Sequence, residues 1–158
     1  AGANGGVWAC ATDIRRAFRN IRIHDEHIHL LCYCWPDKNG VDKFYVEQVL
    51  SFGGRANPRT FDTLAQAIHF ILDKTMKAAD LEVRINHLLD DFIIVGIDEP
   101  TTRRAYDIMD DVLNKTGLPL HPDKTSPPTQ TLLYLGGVFD FKEKEHRHAK
   151  EEEKQPRH

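Results

Sequence analysis

At 158 residues, 41% hydrophobic and 28% charged, the chain is long enough for one domain with a substantial core and hardly long enough for two. Its formal net charge of −3 gives no support to nucleic-acid binding by bulk electrostatics, so such a partner would have to be held by a local site. No apolar run approaches membrane-spanning length and no signal peptide is visible. The three cysteines (Cys10, Cys32, Cys34) form no disulfide framework, which points to a reducing, intracellular setting, cytoplasmic or nuclear.

Residues 1–6 are rich in Gly and Ala and read as a loose lead-in. The chain begins with Ala1 rather than Met, the pattern of a fragment, a processed product or part of a polyprotein. Val7–Thr12 is a short apolar strand that stops at Asp13, and residues 14–21 turn into a helical stub. Asp13 reads in two ways: as the N-cap of that stub, or as a charge at the end of a buried strand that something must compensate.

His24 to Trp35 reads as a strand carrying His24, His27, His29, Cys32 and Cys34. Zinc comes to mind, but strand alternation puts His27 and His29 on a face that Cys32 and Cys34 do not share. Asn39-Gly40 is a hairpin turn signal, and Lys43–Leu50 is the returning strand. Ser51-Phe52-Gly53-Gly54-Arg55 breaks it. Asn57 as cap and Pro58 at the first position start a helix whose Phe61, Leu64, Ala65, Ile68, Ile71, Leu72 and Met76 recur at helical spacing to about Ala79.

Next come two short apolar runs, 81–89 and 92–97, with Asp90-Asp91 between them. A strand that stops at two acids and resumes at once predicts a tight hairpin with both carboxylates at its tip. Asp is a favoured turn residue, so a plain solvated turn is one reading. Two close carboxylates also repel unless a cation lies between them, and hard oxygen ligands suit Mg²⁺ or Mn²⁺. Asp98-Glu99-Pro100 opens a second helix, ended by Gly117. Residues 121–128 read as a loop, 131–141 as a final strand region, and 142–158 as a charged, solvated tail despite His146, His148 and His158.

The central order β-α-β-β-α-β is the split βαβ, or ferredoxin-like, arrangement of an α+β fold, with an antiparallel sheet backed by two helices. There the end of the first strand and the tip of the central hairpin can lie side by side. Asp13 could then meet Asp90 and Asp91, at great cost without a divalent cation.

From Val7 to Asp140 the chain resembles the palm of a reverse transcriptase, and is most similar to retroelement polymerases of the DIRS-like group. Five segments carry the resemblance in order. Asp13-Ile14-Arg15-Arg16-Ala17-Phe18 resembles the first palm motif, and Leu50-Ser51-Phe52-Gly53 with Asn57-Pro58 and Phe61 the second. Leu88-Leu89-Asp90-Asp91 resembles the x-x-Asp-Asp box, Gly117-Leu118 through Pro122-Asp123-Lys124 the lysine motif, and Leu133-Tyr134-Leu135-Gly136 the primer-grip hairpin. Ser51 stands where the family usually has proline, Phe52 where many members are polar, and Leu88 where an aromatic is common.

The resemblance implies an RNA-directed DNA polymerase palm working on an RNA/DNA template-primer and dNTPs. Asp13, Asp90 and Asp91 would be catalytic metal ligands for Mg²⁺ or Mn²⁺. Phe18, Phe52, Gly53 and Lys124 would line the nucleotide, with Phe18 excluding a 2′-hydroxyl and Lys124 contacting or protonating the triphosphate. Arg55 would lie near the nucleotide or template, and Tyr134, Leu135 and Gly136 would form the primer grip. The domain limits implied are a palm over 7–141 between the lead-in and the tail. Fingers, thumb and RNase H segments of a larger polyprotein are expected outside it, so the isolated chain could be inactive. Two other readings stay open: a non-catalytic palm remnant acting as a binding or structural module, and a ferredoxin-like nucleotidyl cyclase or similar two-metal enzyme. The cyclase leaves the Leu-Ser-Phe-Gly turn and the Tyr-Leu-Gly strand unexplained.

Overall fold

The computed structural model describes residues 5–142 and 145–148. Its centre is a four-stranded antiparallel sheet of β1 (Gly5–Asp13), β4 (Val83–Leu88), β5 (Asp91–Asp98) and β6 (Ser126–Thr129), in spatial order β4-β5-β1-β6. Between β1 and β4 the chain forms a separate hairpin, β2 (Cys32–Pro36) with β3 (Asp42–Val46), and then α1 (Asn57–Ala78). The second helix, α2 (Glu99–Lys115), links β5 to β6. This is the expected α+β, ferredoxin-like βαββαβ order, with strands adjacent in space that are not adjacent in sequence.

The pleat divides the core. On β1 and β5 the side chains of Cys10, Ile14, Phe92 and Ile94 face the two helices, where Phe61, Ala65, Ile68, Leu72 and Met76 of α1 and Ala105, Met109 and Leu113 of α2 cover them. On the opposite face Ala9 and Ala11 pack with Leu132, Ile93, Val95, Tyr134 and Phe141. Of these, Leu132 and Tyr134 belong to a second small sheet of β7 (Thr131–Tyr134), β8 (Gly137–Asp140) and β9 (Glu145–His148), and Ile93 and Val95 to β5 itself. β1 is therefore buried on both faces from Ala9 to Thr12, while β5 is buried toward the helices and partly covered on its other face, which explains why it reads as a nearly continuous apolar run.

Several expectations are corrected. Residues 25–30 are a 3₁₀ helix rather than strand: His24 caps it, its Nδ1 accepting from the Glu26 N–H at 3.4 Å. His27 and His29 thus sit on a helical turn, and the strand begins only at Cys32. Asn57 is inside α1 and does not cap it; its amide donates to the Ser51 carbonyl at 2.7 Å, tying the preceding turn to the helix. Ser126-Pro127-Pro128-Thr129, expected as loop, is the edge strand β6, the one place in a sheet that accepts prolines. Within the expected tail, Glu145–His148 pairs with β8, since backbone pairing makes no demand for apolar side chains. Residues 143–144 and 149–158, including His158, and 1–4 of the lead-in lie outside the described residues. The second helix behaves as read: Asp98 caps it, its carboxylate accepting from the Thr101 N–H at 2.8 Å.

One polar tie crosses the helical side of the core. His87 of β4 lies under α1 with its Nδ1 2.8 Å from Nδ1 of His69, its ring stacked on Phe92 and its Nε2 3.8 Å from an Asp62 carboxylate oxygen. One of the two facing nitrogens must be bare for the other to donate to it. Burial, and then the His69 charge, lowers the His87 pKa, with Asp62 opposing. The unfolded chain therefore binds that proton more readily than the folded one. Stability is full above the ordinary imidazole value of about 6.5 and falls as the pH drops through it toward the lower folded value. Thermal melts from about pH 7.5 to about pH 5.5 check this: the loss of Tm should be steeper for the native chain than for His87→Gln.

Candidate active site

Asp13 ends β1 and Asp91 begins β5, and the antiparallel register sets the two opposite each other. Leu88 pairs with Asp91, so Leu89 and Asp90 form a two-residue turn between β4 and β5. Leu89 closes it at φ 54°, a left-handed conformation that costs a non-glycine residue on the order of 1 kcal/mol. The Asp90 carbonyl accepts from the Ile14 N–H at 3.1 Å, which fastens the turn to the end of β1. The register and the turn thus bring the backbones of all three acids to one strand junction.

Their electrostatics show the strain. Burial raises the Asp90 carboxyl above the usual range, and the Asp13 charge raises it further. Burial likewise raises Asp91, followed by the charges of Asp90 and Asp13. One cation relieves them. The Lys124 ammonium donates to Asp13 Oδ2 at 2.8 Å, and its charge lowers both of the other acids. The Asp13 side chain is only 14% exposed, whereas Lys124 is 60% exposed and reaches in from solvent.

The backbone under Lys124 is fixed independently of that pair. The His121 N–H donates to the Asp13 carbonyl at 2.8 Å and the Arg15 N–H to the Pro119 carbonyl at 2.8 Å. The Thr125 hydroxyl donates to the His121 carbonyl at 2.8 Å and meets the Thr12 hydroxyl at 3.1 Å. Sequence reasoning missed Thr12 and Thr125; the 113 positions between them leave no local signal.

Three carboxylates on fixed backbone are an all-oxygen donor set, hard and anionic, and their mutual repulsion is what a divalent cation removes. By donor chemistry they fit Mg²⁺ or Mn²⁺. Among the described residues, however, no three His, Cys, Asp or Glu side chains are clustered as placed to hold an ion, and Asp13 faces Lys124 instead. The same holds for His27, His29, Cys32 and Cys34, the two cysteines being free and exposed.

The other expected residues fall into two groups. Phe18, on a 3₁₀ turn at Ala17–Asn20, is 7% exposed and packs between Phe61 at 5.3 Å and Phe52 at 5.2 Å. Phe52 is 81% exposed and caps that aromatic stack at the surface. Gly53 follows at φ 90°, where a side chain would be strained, and at Gly54 a Cβ would collide with the Asn57 amide. Arg55 is exposed on the same turn. The second group is the β7–β8 turn, where Leu135 at φ 49° and Gly136 at φ 76° make a tight reversal. Tyr134 does more than the sequence suggested. Its hydroxyl donates to the Asp91 carbonyl at 3.2 Å, binding the second sheet to the start of β5, and burial with the nearby Asp91 charge pushes it up to about 12.

Comparison with known families matches residues 2–139 to the family described as reverse transcriptase (RNA-dependent DNA polymerase). No curated protein matches.

Because the Asp90 and Asp91 pKa values are raised, the folded chain favours their protonated forms, and ionising both at neutral pH destabilises it. Without divalent metal, Asp90→Asn and Asp91→Asn should each raise Tm by a few degrees at pH 7. The gain should shrink as the pH falls toward the raised carboxyl values. Differential scanning calorimetry in a chelator checks both the sign and the pH trend.

Proposed function

The chain belongs to the reverse transcriptase family, and from that membership we propose that it is the palm that joins deoxynucleotides to a primer 3′-hydroxyl, copying a retroelement RNA. The observation that carries this reading is the convergence of Asp13, Asp90 and Asp91. The raised carboxyls of Asp90 and Asp91, beside Asp13 at one strand junction, cost stability and return nothing to the fold, so they favour a metal-using palm over a non-catalytic remnant.

Asp13, Asp90 and Asp91 would hold Mg²⁺ or Mn²⁺, which activates the primer hydroxyl and neutralises charge on the departing pyrophosphate. The chain's own residues supply positioning, which is most of what phosphoryl transfer requires. The β1 end and the β4–β5 turn fix the carboxylates through the Ile14–Asp90 backbone bond. Lys124, which bonds Asp13, would meet negative charge on the triphosphate beside that acid. The Ser51–Arg55 turn presents Phe52 to the nucleotide, and Gly53 leaves the backbone bare there. The β7–β8 turn at Leu135 and Gly136 projects where a primer strand would run, tied to the acids by Tyr134.

Phe18 can act on the sugar only through Phe52, or through the ring edge that the stack leaves free. Its proposed task is to hold Phe52 at a fixed height above the core.

Two experiments test this reading, both on the chain together with the sequence that flanks it in its gene. Asp90→Asn should lower Mg²⁺-dependent primer extension on an RNA template by about 10²–10³-fold or more. Undiminished extension removes Asp90 from the chemistry. Phe18→Ala should ease ribonucleotide incorporation relative to deoxynucleotide, and should also destabilise the fold by about 3–5 kcal/mol as a buried aromatic truncation. Sugar discrimination that stays unchanged in a folded variant returns Phe18 to a purely structural role.

A further inference from the structure

Lys124 reaches Asp13 from a loop whose backbone is anchored by the His121–Asp13, Thr125–His121 and Thr12–Thr125 bonds. Only the lysine side chain needs to rotate to leave. Its ammonium lies 2.8 Å from Oδ2 of Asp13, whose side chain is only 14% exposed and whose oxygens a divalent ion would also need. We propose that Lys124 is the resident counter-cation of Asp13 and must be displaced before a divalent metal can bind there. The inference rests on the reading of Asp13, Asp90 and Asp91 as metal ligands.

The chemistry is a competition between one charge on a tether and two charges in solution. While Lys124 is seated, Asp13 is neutralised and the three-acid junction is tolerable to the fold. Arrival of the dication makes the ammonium redundant and repels it. The released side chain then stands at the edge of the site with its charge free, next to where a triphosphate would approach. Metal binding and the freeing of Lys124 are thus one exchange. The apparent metal affinity is lowered by the fraction of time that the lysine is seated.

The test is Mn²⁺ binding, read by the electron paramagnetic resonance signal of the free ion, with no turnover involved. Lys124 is exposed on a surface loop, so Lys124→Gln leaves the core intact. If the ion pair is closed about nine-tenths of the time, Lys124→Gln should bind Mn²⁺ about tenfold more tightly than the native chain. Lys124→Arg, which keeps a cation on the tether, should bind no more tightly than the native chain. A general electrostatic effect of removing a positive charge would persist in an Asp13→Asn background, whereas displacement predicts that the gain disappears there. Equal Mn²⁺ affinity of the native chain and Lys124→Gln overturns the displacement and leaves the metal site standing. So does a gain undiminished by Asp13→Asn. Absence of Mn²⁺ binding in both proteins, unaltered by Asp13→Asn, overturns the metal-ligand reading itself.

Discussion

Repulsion among three carboxylates at one strand junction is the constraint around which the palm is arranged. Each neighbouring element contributes a contact that resists it. The Ile14 N–H holds the Asp90 carbonyl, the His121 N–H holds the Asp13 carbonyl, and the Tyr134 hydroxyl holds the Asp91 carbonyl. Three different segments therefore fasten the three acids, each through the backbone. The Asp90 carboxylate accepts from a backbone N–H, and the Lys124 ammonium bonds the carboxylate of Asp13. The cost of gathering these charges is thus met in folding, by backbone bonds to each acid.

The elements that were legible in the sequence are those whose burial has a period. Phe61, Ala65, Ile68, Leu72 and Met76 mark one stripe of α1, and the apolar run of β5 reflects a strand buried on one face and partly covered on the other. Asp98 could be read as a cap because its partner Thr101 is three residues away. The acids were legible because Asp90 and Asp91 stand between two apolar runs in the sequence, and the predicted topology brought Asp13 to them. What escaped lacks a local signature. Lys124 and Asp13 are 111 positions apart, and nothing in either neighbourhood announces the other. The 3₁₀ turn at 25–30 competes with strand through His24 capping, which only the resolved geometry reveals. Pro127-Pro128 hid a strand, since proline argues against one everywhere except an edge.

The stack Phe61–Phe18–Phe52 connects the helical core to the surface in three rings. Phe61 is fully buried, Phe18 nearly so, and Phe52 almost wholly exposed. An exposed aromatic of this kind is held by its contact with the ring beneath and by the Gly53 turn that follows it. The Asn57 amide, by bonding Ser51, fixes the same turn from the other side. The position of Phe52 is consequently set by α1, so packing within that helix is transmitted to the exposed Ser51–Arg55 turn.

The prolines of β6 have a bearing beyond the pairing they complicate. Successive residues of a strand direct their N–H groups to opposite sides, so one of the two prolines removes a donor facing β1 and the other removes a donor facing outward. The first omission agrees with the slip in register between Ala9–Thr129 and Ala11–Ser126. The second leaves the outer margin short of a hydrogen-bond donor that any added strand would need. The sheet is thereby blunted against recruiting another polypeptide on that side, a safeguard against fibrillar self-association built from the same two residues that disguise the strand.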